Sequence, residues 1–326
     1  SILVLGPLLA RFEEAKVSLP GGCAIGARPI GMHLDALKKM GAQIEVDGGY
    51  VVAKAPGGLK GANIQFPFPT VGGTENIMMA ASLAKGQTTI QNAAQEPEIV
   101  DLANYLNKMG ADVQGAGEST IQIQGQENLQ PAEHDVIPDR IETGTLMVAA
   151  AITNGKVKIN NCDPTHLTSF NKALQQMGIE LDFGDDFIQV QGNGGYASIQ
   201  ITTEPFPGFP TDLQAQLMAL MTQVPGKSRI IEKVFENRFM HVSELMRLGA
   251  KIEVDGHEAI IHGAEGHLVG APVMATDLRA SASLILAGLV ASGETVVNRI
   301  YHLDRGYENL EGKLKSLGAD IERIKE

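Results

Sequence analysis

The sequence predicts an α/β (α+β) chain of two domains, assembled from a repeated unit of about 69 residues. Three observations predict it. Gly41, Gly110, Gly178, Gly249 and Gly318, each directly after a methionine or leucine, recur 68 to 71 residues apart. A second series, Gly86, Gly155, Gly226 and Gly293, keeps nearly the same period. Between the two series lie helical stretches with no polar face, which must be covered on every side.

The elements of one unit follow in order. A strand leads into an almost wholly apolar or small-residue helix, as at 77–84, 145–152 and 280–291. Such a helix belongs at the centre of a domain, and its small residues let neighbouring helices approach closely. A glycine then supplies a left-handed helix end, and a second strand follows. The next helix is amphipathic: Leu102, Tyr105, Leu106 and Met109 share one face, with Asn104, Asn107 and Lys108 elsewhere. Alternating stretches around Asp47-Gly48-Gly49, Gly184-Asp185-Asp186 and Asp255-Gly256 close the unit as hairpins with one solvated face. The unit is therefore βαβαββ, with apolar helices inside and exposed helices and sheets outside. Pro138, in the segment 135–139, marks the expected crossing between a first domain, 1–137, and a second, 138–326. The first copy is expected to begin at about its buried helix, with Ala15 near its closing turn, to lack the leading strand, and to leave the chain inactive by itself.

Composition narrows the class. A net charge of −12 and a pI near 5.2 argue against nucleic acid or an anionic membrane as partner. No apolar run approaches the roughly 20 residues of a membrane helix, and no secretory leader is read at the start. Cys23 and Cys162 make neither a disulfide framework nor a CxxC site, and the eight histidines are scattered. A cytoplasmic protein without metal is expected.

Candidate chemistry begins with Gly21-Gly22-Cys23-Ala24-Ile25-Gly26-Ala27-Arg28-Pro29. Flexible residues surround a thiol, and Arg28 can lower its pKa or hold an anion. A plain surface loop is the alternative. Cys162 lacks such neighbours and is read as structural. Asp212 and Asp277 each precede a buried helix, where they can cap the helix or take a proton from a hydroxyl. Arg28, Arg140, Arg238, Arg279 and Arg305 stand at repeat junctions, suited to phosphate or carboxylate, or to pairing with Asp139, Glu142, Asp277 or Asp304.

The cysteine loop resembles that of the UDP-N-acetylglucosamine enolpyruvyl transferases. The resemblance continues through Glu96-Pro97-Glu98-Ile99-Val100-Asp101, Pro138-Asp139-Arg140-Ile141-Glu142-Thr143-Gly144-Thr145 and Phe209-Pro210-Thr211-Asp212. It runs on through Glu236-Asn237-Arg238-Phe239-Met240-His241, Ala275-Thr276-Asp277-Leu278-Arg279 and Asp304-Arg305-Gly306-Tyr307. It implies a two-domain inside-out α/β barrel with ligands in the cleft between the domains. The implied reaction moves the enolpyruvyl group of phosphoenolpyruvate to the 3′-hydroxyl of UDP-N-acetylglucosamine, through a tetrahedral ketal and without metal or organic cofactor. By the same resemblance Cys23 is the general acid, Asp212 the base, and Arg28 and Arg305 hold phosphoenolpyruvate. Arg28, Pro29, Ile30, Gly31 and Met32, with Phe68, Pro69, Thr70, Val71 and Val234, match segments that bind the nucleotide sugar. Gly31 departs from the aspartate usual in the family, and the family's Lys-Asn pair and an upstream arginine have no counterpart here. The rival readings are a 3-phosphoshikimate 1-carboxyvinyltransferase-like enzyme, whose family lacks this cysteine loop, and a nucleotide-sugar-binding fragment without turnover.

Overall fold

A computed structural model describes residues 2–19, 30–264 and 267–324. They fall into two compact units that divide after Ile137.

In the first unit, α1 (Leu5–Phe12) leads into β1 (Glu14–Ser18), α2 (Gly31–Lys39) and the hairpin β2 (Gln43–Asp47) and β3 (Tyr50–Lys54). The order β1-β3-β2 is antiparallel throughout. A full copy of the unit follows: β4 (Asn63–Gln65), α3 (Val71–Ala81), β5 (Gln87–Gln91), α4 (Pro97–Lys108), β6 (Asp112–Gln114) and β7 (Thr120–Gln124). β4 and β5 are parallel, joined over α3, and the hairpin extends the sheet as β4-β5-β7-β6. α1 lies against α3. At Gly6 the approach is so close that a Cβ would stand 2.3 Å from Asn76 Oδ1. The same Oδ1 accepts the Gly6 N–H at 2.8 Å, so the small residue in the apolar helix has a definite task.

In the second unit, α5 (Arg140–Ile152), β8 (Lys156–Asn160), α6 (Thr168–Gln176), β9 (Glu180–Phe183) and β10 (Phe187–Gln191) form a partial copy with sheet order β8-β10-β9. A full copy comes next: β11 (Gln200–Thr202), α7 (Gln214–Met221), β12 (Gly226–Ile231), α8 (Val242–Arg247), β13 (Lys251–Asp255) and β14 (Glu258–Gly263). Its order β11-β12-β14-β13 repeats that of the first unit, again with one parallel pair. Parallel β15 (Pro272–Met274) and β16 (Val296–Asn298) flank α9 (Leu278–Gly288), and α10 (Leu310–Ser316) ends the regular structure. α5, α7 and α9 pack on one another at the centre, and all eight residues of α7 are buried.

The five turn glycines behave as one device, with φ between 87° and 101°. After α2, the Gly41 N–H donates to Lys38 O at 2.9 Å and the Ala42 N–H to Leu37 O at 3.0 Å. This double bond pattern is the Schellman motif, and the same pair of bonds recurs at Gly110, Gly178, Gly249 and Gly318. Three expectations need correction. The left-handed residue after α5 is Asn154 (φ 54°), not Gly155, because asparagine also tolerates that conformation. After α1 it is Glu13 (φ 61°), whose N–H reaches Leu9 O, so the turn falls before Ala15. The strand expected before α5 is missing: 125–139 has no regular structure, and Pro131 and Pro138 have no N–H to give to a ladder.

Candidate active site

In the first unit the starts of α2 and α3 carry the expected nucleotide-sugar segments. Ile30 is the N-cap residue of α2, followed by Gly31 and Met32 in its first turn. Phe68, 52% exposed, leads through Pro69 to Thr70, and the exposed Val71 opens α3. Thr70 caps that helix, its Oγ1 accepting the Gly73 N–H at 3.3 Å. A Cβ on Gly73 would come within 2.5 Å of the Thr70 methyl, so the cap needs glycine there. The two starts are neighbours, since a Cβ on Gly72 would lie 3.5 Å from the His33 ring. Asn76 ties them further, donating to Ile2 O and meeting His33 Nδ1 at 3.0 Å. Gly31 is exposed, and a Cβ there would meet nothing within 4 Å among the described residues. Cys23, Arg28 and Pro29 lie outside the described residues.

One group in this unit carries no sequence signal. Burial pushes the Glu75 carboxyl on α3 up to about 7, with Glu98 and Glu96 adding to the effect. It is poised to change charge near neutrality, although nothing in the pattern around it sets it apart from an ordinary helix glutamate.

In the second unit Asp212 lies in a short 3-10 turn, Thr211–Leu213, just before α7. It caps nothing; the N-cap residue is Pro210, with no side-chain bond. Instead its Oδ1 takes Arg238 Nη2 at 2.5 Å and faces Arg279 Nε at 3.4 Å. Both arginine side chains are nearly buried, while 43% of the Asp212 side chain stays exposed. Burial alone would raise this carboxyl, but Arg279 and Arg238 outweigh it and hold it below the ordinary carboxylate range. The group is an accessible carboxylate anchored by two cations. Asp277, the parallel candidate, is a cap: its Oδ1 accepts the N–H groups of Arg279 and Ala280 at 2.8 and 3.0 Å.

Three of the carboxylates weighed as arginine partners have these contacts. Asp139 caps α5, Glu142 meets Lys313, and Asp304 pairs with Arg323. The Arg140 guanidinium lies 5.8 Å from the Phe206 ring. Arg305 ends the 3-10 turn Ile300–Arg305 with its side chain exposed. Two residues later the buried Tyr307 lies 5.6 Å beneath the Arg279 guanidinium.

Glu232 also escaped sequence reasoning. It is 1% exposed and accepts from Thr203 and Thr211 hydroxyls at 2.8 and 2.9 Å and from the Val234 N–H at 2.8 Å. It thereby sets Val234 beside the Thr211-Asp212 turn. Cys162 is buried, its Sγ 3.5 Å from Ile159 O, and burial pushes its thiol pKa up; it is packing. Among the described residues no cluster of three or more His, Cys, Asp or Glu could hold a metal ion, and no helix is long and apolar enough to cross a membrane.

Comparison with known proteins places this geometry. Residues 1–314 match the EPSP synthase (3-phosphoshikimate 1-carboxyvinyltransferase) family. The UDP-N-acetylglucosamine 1-carboxyvinyltransferase of Xanthobacter autotrophicus is 60% identical over 325 residues, covering 99% of this chain and 76% of the relative. That of Geobacter metallireducens is 60% identical over 326 residues, covering 100% and 78%. Among solved structures, the enolpyruvyl transferase NikO from Streptomyces tendae superposes with a TM-score of 0.87 at 28% identity, over 98% of this chain and 76% of its own. An EPSP synthase from Acinetobacter baumannii reaches 0.74 at 22% identity, over 98% and 77%, a likeness of fold alone. The repeat, its parallel-plus-hairpin sheets and the identity along nearly the whole chain agree, and the chain belongs to the enolpyruvyl transferase family, among the UDP-N-acetylglucosamine 1-carboxyvinyltransferases.

Proposed function

We propose that the protein transfers the enolpyruvyl group of phosphoenolpyruvate to the 3′-hydroxyl of UDP-N-acetylglucosamine and releases phosphate. The observation that carries this reading is Asp212, an accessible carboxylate fixed by Arg238 and Arg279 at the mouth of a buried helix. The hydroxyl oxygen attacks C2 of phosphoenolpyruvate as Asp212 takes its proton, and Cys23 gives a proton to C3. The resulting ketal then loses phosphate and a C3 proton, which restores the double bond. A carboxylate held this low is a weak base in the ground state, so its proton transfer belongs late, when the attacking hydroxyl has become acidic. Arg28 and Arg305 hold the phosphate and carboxylate of phosphoenolpyruvate and stabilise charge on the ketal. Ile30, Gly31 and Met32, with Phe68 to Val71 and Val234, receive the nucleotide sugar; the exposed Phe68 and Val71 give it an apolar surface.

This reaction opens peptidoglycan synthesis, placing the protein in the cytoplasm with small molecules as its partners. The 60% identity to UDP-N-acetylglucosamine 1-carboxyvinyltransferases supports the nucleotide sugar over 3-phosphoshikimate. Isothermal titration against both acceptors, beside a phosphate-release assay, tests the choice. Heat on adding UDP-N-acetylglucosamine and none with 3-phosphoshikimate is expected, and the reverse preference would sink the reading. Binding without phosphate release from the full-length enzyme would point to the non-catalytic alternative.

A further inference from the structure

Beneath Asp212 lies a polar knot within the packed helix centre. Thr145 on α5, Gln216 on α7 and Tyr307 are all buried. The Thr145 hydroxyl donates to Ile141 O at 2.8 Å, which leaves its oxygen an acceptor. The Tyr307 hydroxyl, 2.8 Å away, therefore donates to it. Gln216 Nε2 gives one hydrogen to the Asp212 backbone carbonyl at 2.9 Å. Its other hydrogen is shared between Thr145 Oγ1 and the Tyr307 hydroxyl oxygen, each 3.2 Å from Nε2. This fixes the amide, since turning it over would set Oε1 against the Asp212 carbonyl oxygen.

Such a knot is a costly way to fill a core. Gln216 Oε1 finds no partner among the described residues, and apolar side chains of the same shape would avoid that desolvation. What the knot touches gives it a use. On one side it grips the Asp212 backbone, and on the other the Tyr307 ring supports Arg279, which faces the Asp212 carboxylate. We propose that Thr145, Gln216 and Tyr307 are positioning residues, which hold the Asp212 carboxylate and Arg279 in register for proton transfer. The inference rests on the reading of Asp212 as the base.

The test compares Thr145→Val, which keeps the shape and removes the acceptor, with Thr145→Ser, which keeps the hydroxyl. The first readout is the titration of the Asp212 carboxyl by ¹³C NMR, assigned through the resonance missing in Asp212→Asn. Arg238 and Arg279 are the charges that face this carboxyl, and Asp139 acts on Arg279 in turn. With Arg279 freed, the titration midpoint should rise in Thr145→Val. Turnover of the full-length enzyme should fall on the order of tenfold, with KM for the nucleotide sugar within about twofold. Thr145→Ser should bring both close to wild type. A Thr145→Val protein that melts earlier yet keeps the wild-type midpoint and turnover would overturn the proposal and leave the knot structural. If Thr145→Val fails to fold by circular dichroism, Tyr307→Phe replaces it, keeping the ring under Arg279 and removing one donor. Unimpaired turnover in Asp212→Asn would refute the base reading separately, while the titration still decides whether the knot positions the carboxylate.

Discussion

Asp212 illustrates how far single residues could be read. Its place before a buried helix was legible, because proline, threonine and aspartate in sequence announce a helix start. Its partners were not. Arg238 is 26 positions away, and Arg279 lies in another copy of the repeat; no local pattern reports an ion pair closed by packing. Glu232 and Glu75 were invisible for the same reason, since their roles come from what surrounds them. His241 is a third such residue and yields a prediction. It is 1% exposed, and burial drives its imidazole down to about 4, helped by Arg238 and opposed by Asp277. The unfolded chain takes up this proton near pH 6.5, the folded protein only near 4. Stability is therefore full above pH 6.5 and falls as pH drops toward 4, by up to about 3 kcal/mol for this one group. Asp212 acts in a lower window: its depressed value adds stability above the ordinary carboxylate range, lost only as pH falls below it. Urea unfolding at pH 7.5, 5.5 and 4.5 should thus show a flatter pH dependence for His241→Gln than for wild type. Parallel curves would mean that His241 does not carry the effect.

Elements were more legible than residues, and the reason is periodicity. A buried helix, a left-handed glycine and a hairpin repeated at one spacing reinforce each other, so β4 to β7 and β11 to β14 could be anticipated in order. Reading failed where a different residue could do the same job. Glu13 and Asn154 adopt the left-handed conformation without being glycine, and 125–139 omits a strand that the period demands. The glycine cap itself can be weighed. At Gly41, φ is 97° and a Cβ would meet nothing within 4 Å, so substitution there exposes conformational strain alone. Gly41→Ala should cost about 1–2 kcal/mol, and Gly41→Asn less. Gly155→Ala should cost less than Gly41→Ala, because Asn154 carries the unusual conformation and the nearest neighbour of the new Cβ is the Thr153 hydroxyl, at 3.3 Å. Thermal melts of the three variants check this, and equal losses at Gly41 and Gly155 would contradict the assignment.

For the whole molecule, the two units each have an apolar core of their own. Among the described residues one cluster runs through Leu37, Ile77, Ile99 and Ile123 in the first unit, the other through Met147, Phe170, Leu220 and Leu286 in the second. A protein of residues 138–326 should accordingly fold by itself with a single cooperative thermal transition. A broad, non-cooperative melt with exposed apolar surface would show that its core is insufficient. The Tyr307 knot has a further consequence, and it is optical. The chain contains five tyrosines and no tryptophan, so its near-ultraviolet absorption and emission come from phenol rings without an indole to mask them. One of those rings is clamped under Arg279, which faces the Asp212 carboxylate. The protein therefore carries an intrinsic chromophore at the site, and a change in Arg279 or in the Tyr307 hydroxyl bond can be followed by light with no label attached.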